Sequence, residues 1–248
     1  MSYARARRTK RTAAARMRPF WWLFALLGIV AAAVLAFLLA WPGFRLRHVS
    51  VQGNHVVPTD EILRAARVAP GQNIWLENRR AIAGRIGGIP YVESVWIHRL
   101  LPDSIAIVVR ERVPFAVLQT SDDDAIVDRS LRVLQEPGAA PALPVFSLSA
   151  AAPLVPGEYV RSKDAIGLRN AYDTLAGKGM KVSTLTLDPY GDLVAELPSG
   201  LRLLLGDPSN LEKKLALAGE ILSQVARKQR SISALDLRAP SAPVIVYR

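Results

Sequence analysis

Between Arg18 and Arg45 the chain carries no charged residue, and Phe20 to Trp41 reads FWWLFALLGIVAAAVLAFLLAW, apolar throughout. A segment of that kind has few structural options. Wound as a helix at about 1.5 Å per residue it is roughly 33 Å long, which matches a hydrocarbon core of about 30 Å. One crossing of a bilayer is therefore expected, with residues 19–43 as the transmembrane helix. Trp21 and Trp22 at one end and Trp41 at the other stand where indole rings favour the interface, and Pro42-Gly43 stops the helix where water begins.

The charge distribution agrees with that reading. The 248 residues include 32 Lys and Arg against 21 Asp and Glu, a net charge of +11. Seven of those cations, ending in Arg16 and Arg18, fall in residues 1–18 with no acid among them. A nucleic-acid-binding protein spreads its cations over a folded face, whereas here the excess abuts an apolar run. Inner-membrane lipid, and no nucleic acid, is the implied partner of this basic tail. Only Arg45 and Arg47 follow the span closely, so the positive-inside rule puts the N-terminus in the cytoplasm and the rest of the chain outside. Arg16, Arg18, Trp21, Trp22 and Trp41 are the expected membrane-interface residues. A cleaved signal peptide competes with this reading, with Val34-Leu35-Ala36 as its cleavage site. Cleavage there leaves Phe37-Leu38-Leu39-Ala40-Trp41 at the start of a secreted protein, and the apolar run exceeds an ordinary h-region. Arg7-Arg8 lacks the surrounding consensus of a twin-arginine signal.

After Phe44 the hydropathy period shortens. Arg47, Val49 and Val51 share one face of a strand, and His48, Ser50 and Gln52 the other. Gly53-Asn54 turns the chain, and Thr59 reads as the N-cap of a helix with Asp60 and Glu61 in its first turn. A second helix is expected from about Glu77 to Arg85, broken by Gly87-Gly88 and Pro90. Val95 and Ile97, then Ile105, Ile107 and Val109, alternate on either side of a turn at Leu100 to Asp103, which predicts an antiparallel hairpin. Strand, helix, helix, strand, strand places two helices on one face of a three-stranded sheet.

Farther on, Ala125 to Asp128 and Arg129 to Leu134 read as a strand pair, and Ala142 to Leu148 as a loop leading to extended chain. A helix follows over Ser162 to Leu175. Val182 to Leu187, Gly191 to Leu197 and Leu201 to Leu205 should form a meander. Ser209 to about Lys228 is the longest helix after the span, and Ile232 to Leu237 and Val244 to Tyr247 close the chain as strands.

Several residues carry a resemblance: Val49-x-Val51-x-Gly53-Asn54, Pro90-x-Val92-x-x-Val95-x-Ile97, and Ile105-x-Ile107-x-Val109-x-Glu111-Arg112-x-Pro114-x-Ala116. Over Phe44 to Ala116 they resemble a POTRA domain. Downstream, Asp128-Arg129-x-x-x-Val133-Leu134, Gly200-Leu201-Arg202-Leu203-x-Leu205-Gly206, Lys213/Lys214 and Asp236-Leu237-Arg238 resemble the β domain that follows POTRA in the FtsQ/DivIB family of bacterial cell-division proteins. The resemblance implies an α+β fold: a single transmembrane helix, a POTRA domain (β-α-α-β-β) at 44–116, and a second mixed domain with a mainly antiparallel sheet at 117–248. It also implies a non-enzymatic scaffold of the division machinery at the septum of the inner membrane. Such a scaffold binds FtsB and FtsL in the periplasm, acts indirectly on FtsW and FtsI, and helps control septal peptidoglycan synthesis. A POTRA-containing chaperone or assembly factor for exported polypeptides is the alternative, though this chain has neither the β-barrel nor the repeated POTRA units that would favour it.

Nothing in the sequence composes an active site. His48, His55 and His98 form no HExxH or other ligand spacing, and Asp122-Asp123-Asp124 lacks the alternating ligands of an EF-hand loop. P-loop, GxGxxG and G-x-S-x-G motifs are absent, and the lack of cysteine excludes a disulfide framework or a thiolate zinc site. No cofactor, metal or small-molecule substrate is expected. The candidate site is instead an edge. A short apolar strand closing the chain presents unpaired backbone groups to an incoming strand, or else simply completes the sheet with a solvated edge. The resemblance favours the first, with Arg238, Ser241, Val244, Ile245, Val246 and Tyr247 as partner-binding residues. The chain departs from the family at Ala239, where a tyrosine is common, and has Tyr190 near a frequent arginine position. Val51 to Val57 of the POTRA-like part lie on or beside a second possible edge.

Overall fold

The computed structural model describes residues 21–136, 143–149 and 153–248. Arg16, Arg18 and the rest of the basic tail, Phe20 and Ala142 lie outside the described residues. Helix α1, Trp21–Ala40, presents its apolar side chains outward along almost its whole length and is long and apolar enough to cross a bilayer. The last turn of a helix leaves carbonyls without intrahelical donors. Here the Asn73 side-chain amide donates to two of them, Leu38 O at 2.8 Å and Leu39 O at 3.0 Å. A 3-10 turn over Pro42–Phe44 then buries the Phe44 ring.

The first module follows the expected order: β1 His48–Gln52, α2 Thr59–Ala66, α3 Arg79–Ile86, β2 Val92–Leu100 and β3 Ser104–Glu111. Its sheet runs β1-β3-β2, with β3 antiparallel to β2 and parallel to β1. Ile62 and Ala66 of α2 and Ile82 and Ile86 of α3 pack on Ile97, Ile105, Ile107 and Val109, all buried. Two expectations about the helix ends need correction. Thr59 is already inside α2; Pro58 is its N-cap, in extended conformation, and the Thr59 hydroxyl instead accepts a hydrogen bond from the Asn54 amide. Helix α3 starts at Arg79 rather than Glu77, because the Asn78 side chain accepts from the backbone N–H groups of Arg80 and Ala81 and caps it there. Gly53 turns the chain with φ of 83°, and a Cβ at that position would strike the Val109 carbonyl oxygen.

The chain changes sheets at Arg112–Val113. Strand β4, Pro114–Gln119, straddles the expected boundary at 116/117 and pairs only within the second sheet. That sheet adds β5 Asp124–Asp128, β6 Val133–Gln135, β7 Val145–Leu148, β8 Thr184–Leu187, β9 Leu193–Glu196, β10 Arg202–Gly206, β11 Ile232–Asp236 and β12 Val244–Tyr247. Its nine described strands run β12-β11-β10-β9-β8-β7-β4-β5-β6. The pairs β4–β7, β7–β8 and β10–β11 are parallel and the other five antiparallel, so the sheet is mixed with an antiparallel majority. Helices α4, Lys163–Gly177, and α5, Leu211–Arg227, bury Leu168, Leu175, Leu215 and Ala218 in a core that includes Phe146 and Leu203. Ser162 caps α4, accepting from Asp164 N at 3.2 Å.

The two cores abut. Ile126 of β5 and Leu134 of β6 are buried in the first core, while their strand neighbours Val127 and Val133 face the second. At the junction the Arg112 guanidinium pairs with Asp128 and reaches the Tyr159 hydroxyl and the Val92 carbonyl. Asp128 also accepts from Ser130 N and Oγ and from Arg132 N. Burial pushes the Asp128 carboxyl upward, but the Ser130 hydroxyl, the Arg132 amide and Arg112 outweigh it and hold the pKa below its ordinary value.

Candidate functional site

A sheet that is not closed into a barrel has two edges, and each edge must be covered or left to solvent. At one edge of the large sheet stands β6, and the following chain covers it. Val133 N donates to Glu158 O, Gly157 N to Val133 O and Val160 N to Leu131 O, all at 2.8 to 2.9 Å. At the other edge stands β12, and among the described residues no strand pairs with its outer side.

The sequence makes that edge through a crossover. Parallel neighbours β10 and β11 need a long connection, and α5 supplies it over the sheet face. The buried Lys214 anchors the start of this crossover, its ammonium donating to Leu205 O at 2.6 Å and Asp207 O at 2.7 Å. After β11, Leu237 is buried and its N–H donates to Leu204 O of β10. Residues 238–243 turn, and β12 returns antiparallel with Val244 opposite Asp236 and Val246 opposite Ala234.

Which backbone groups point outward follows from alternation. The Val246 carbonyl accepts from the Ser233 hydroxyl, and Arg248 N donates to Ser231 O, so both residues turn their peptide groups toward β11. Ile245 and Tyr247, between and beside them, therefore direct their N–H and C=O groups away from the sheet. The side chains alternate too. Ile245 packs on the core shared with α4 and α5, and Tyr247 lies on the same face under the Arg230 guanidinium, 5.4 Å from its ring centre. Val244 and Val246 stand on the opposite face and are 56% and 47% exposed, which leaves an apolar rim beside an unpaired backbone.

Arg238 and Ser241 are exposed in the preceding turn. Arg238 is held by Asp236, with Nη2 at 2.6 Å and Nε at 3.1 Å from its carboxylate oxygens, and the arginine side chain holds the Asp236 carboxyl below its ordinary pKa. Asp236 chiefly, and then Asp192 and Asp188 of the β8–β9 turn, raise the Arg238 pKa. At the tip of that turn Tyr190 is 93% exposed, the largest such value for an aromatic side chain among the described residues. Arg238, Ser241 and Tyr190 thus share the end of the sheet where β12 begins.

The other sequence candidates resolve differently. Trp21, Trp22 and Trp41 are exposed at the two ends of α1, and Trp41 also stacks on Phe37 and meets Phe44 edge-on, each at 5.0 Å. Strand β1 is an edge of the small sheet, but the amides of His55, Val56 and Val57 beside it are already taken by the Glu111 carboxylate. His48, His55 and His98 are exposed, and no cluster among the described residues is suited to a metal ion. Asp123 serves its own turn, accepting from Asp124 N and from Leu154 N.

Comparison with known proteins agrees with this architecture. The model of the FtsQ-type POTRA domain matches residues 44–112, and that of the C-terminal part of cell division protein FtsQ/DivIB matches residues 116–238. Strand β12 lies beyond the second match. Cell division protein FtsQ of Mycobacterium tuberculosis is 25% identical over 228 residues, covering 90% of this chain and 69% of that protein. FtsQ of Xanthomonas campestris is 27% identical over 229 residues, covering 90% and 78%. Cell division protein DivIB of Clostridium acetobutylicum is 29% identical over 92 residues, 37% of each chain. A solved structure of POTRA1-2 of the periplasmic domain of Omp85 from Anabaena matches 32% of this chain and 52% of its own at 13% identity, with a TM-score of 0.26.

Proposed function

This chain belongs to the FtsQ/DivIB family of bacterial cell-division proteins, and from that premise we propose that it is a non-enzymatic scaffold of the division machinery that captures a partner strand on β12. The partner is FtsB, accompanied by FtsL, and through them the scaffold helps control septal wall synthesis by FtsW and FtsI. On this reading the basic tail is cytoplasmic, α1 crosses the inner membrane, and the two sheet modules stand in the periplasm at the division septum.

The observation that carries the proposal is the contrast between the two edges of the large sheet: β6 is covered by residues 155–160, and among the described residues no strand covers β12. An incoming strand would satisfy the outward groups of Ile245 and Tyr247 and lay its side chains against Val244 and Val246 on one face and Tyr247 on the other. Anchoring by α1 supports such a mechanism energetically, because partners confined to the same membrane meet at high effective concentration and modest contacts suffice.

The test is Val246→Glu in the full chain, reconstituted in bilayer discs and titrated with the FtsB–FtsL complex. The new carboxylate stays in water in the free protein but is desolvated under a docked strand. Binding should weaken roughly tenfold or more while the circular dichroism spectrum is unchanged. Undiminished affinity in a folded variant would remove β12 as the site.

A further inference from the structure

The smaller module carries a second exposed apolar surface, at the pole where α1 enters it. Asn73 hydrogen-bonds the carbonyls of Leu38 and Leu39, so the loop that follows starts at the level of the last helical turn. Two and three residues on, Trp75 is 39% exposed and Leu76 69% exposed. At about 3.3 to 3.6 Å per residue neither side chain can lie far from that level. The turn between β2 and β3 reaches the same pole. Arg99 donates to Ile74 O, Trp75 O and Glu77 O, with the first and last at 2.7 Å, and Arg47 N donates to Asp103 O at 2.8 Å. Leu100 and Leu101 at that turn are 52% and 58% exposed. Four large apolar side chains of one small module thus gather at one end, with exposed Arg45, Arg79 and Arg80 nearby in sequence.

We propose that the loop at 73–77 and the Leu100–Leu101 turn form a second membrane contact, resting the POTRA module on the bilayer that α1 crosses. Trp75, Leu76, Leu100 and Leu101 enter the interfacial layer, where an indole ring and aliphatic chains gain from leaving water. The arginines stay at the phosphates of anionic lipid. The inference rests on α1 being a membrane span. It adds that the module does not swing freely on the end of α1 but is held at a fixed tilt, which sets the direction in which β12 is offered to partners.

The chain contains no cysteine, so single nitroxide labels can be placed at will. Leu76→Cys and Leu101→Cys are labelled in the full chain reconstituted in phosphatidylethanolamine–phosphatidylglycerol vesicles. Leu35→Cys marks the span and Val113→Cys marks water, since Val113 is 77% exposed beyond the opposite end of β3. All four positions are exposed, and circular dichroism confirms folding. The readout is the ratio of collisions with oxygen to collisions with an aqueous nickel chelate. Labels at 76 and 101 should give ratios several-fold above the label at 113. Ratios equal to that at 113, with a hydrocarbon value at 35, overturn the second contact and leave the span intact. A water-like value at 35 overturns both. Labels at 76 and 101 shielded from both reagents overturn the lipid contact in favour of a protein contact between copies.

Discussion

Removing the Asp128 carboxylate tests how the two modules are joined. In Asp128→Ala the Arg112 guanidinium, whose side chain is 10% exposed, loses its counter-charge, and Ser130 N and Arg132 N lose their acceptor. Arg112 keeps the Val92 carbonyl and the Tyr159 hydroxyl at 3.2 Å, but both are neutral, so its cation is left largely buried without a counter-charge. Truncating one partner of a buried pair costs about 3–5 kcal/mol, which lowers the melting temperature by roughly 6–20 °C in a chain of this size. The assay is thermal unfolding of the full chain in mild detergent, followed by near-UV circular dichroism. The double variant Arg112→Met/Asp128→Leu should lose less than either single variant, because no charge is then left buried alone. The pH dependence has a fixed sign. The folded pKa of Asp128 lies below its unfolded value of about 3.9, so its contribution is complete above that value and fades as pH falls through the lower folded pKa. The gap between wild type and Asp128→Ala must therefore be full at neutral pH and shrink only in strong acid. A loss under about 1 kcal/mol at neutral pH, or a gap that widens on acidification, would refute the reasoning.

Two substitutions probe the supports of each sheet. Lys214→Met keeps the buried stem but leaves the Leu205 and Asp207 carbonyls without their charged donor, and should lower the urea unfolding free energy by about 2–3 kcal/mol. Gly53→Ala forces a Cβ toward the Val109 carbonyl at positive φ and should cost about 1–3 kcal/mol in the same assay, with hydrogen exchange rising first in β1 and β3.

Much of this architecture was legible because it rests on patterns with a single physical solution. An uncharged apolar run of 20 residues makes a helix long enough to cross a bilayer, and alternation at Val49/Val51 and at Ile105/Ile107/Val109 makes a half-buried sheet. The closing strand was legible from a different signal, a short run of β-branched and aromatic residues set off by Pro240 and Pro243. β4 was not, because Ala116 and Leu118 face one core and Val117 the other, so no polar residue alternates to mark it as a strand. Thr59 looked like a cap by residue type, yet Pro58 already supplies the extended N-cap backbone, and nothing local reveals that. Nothing in the sequence distinguishes Lys214 from its neighbour Lys213; only the passage of α5 over the end of β10 buries it. The Arg112–Asp128 pair, the parallel β10–β11 crossover and the approach of the Tyr190 turn to Arg238 all depend on contacts distant in sequence. The backbone polarity of β12 follows from the hydrogen bonds of Leu237, Val246 and Arg248 and from no residue type.

That polarity gives the most direct measurement of the central claim, residue-resolved amide hydrogen exchange of the full chain in bilayer discs with and without FtsB–FtsL. In the free protein Ile245 and Tyr247 should exchange rapidly while Val246, bonded to β11, exchanges slowly. Bound partner should slow Ile245 and Tyr247 and leave Val246 little changed. Amides at 245 and 247 that exchange equally fast in the saturated complex would contradict strand capture on β12.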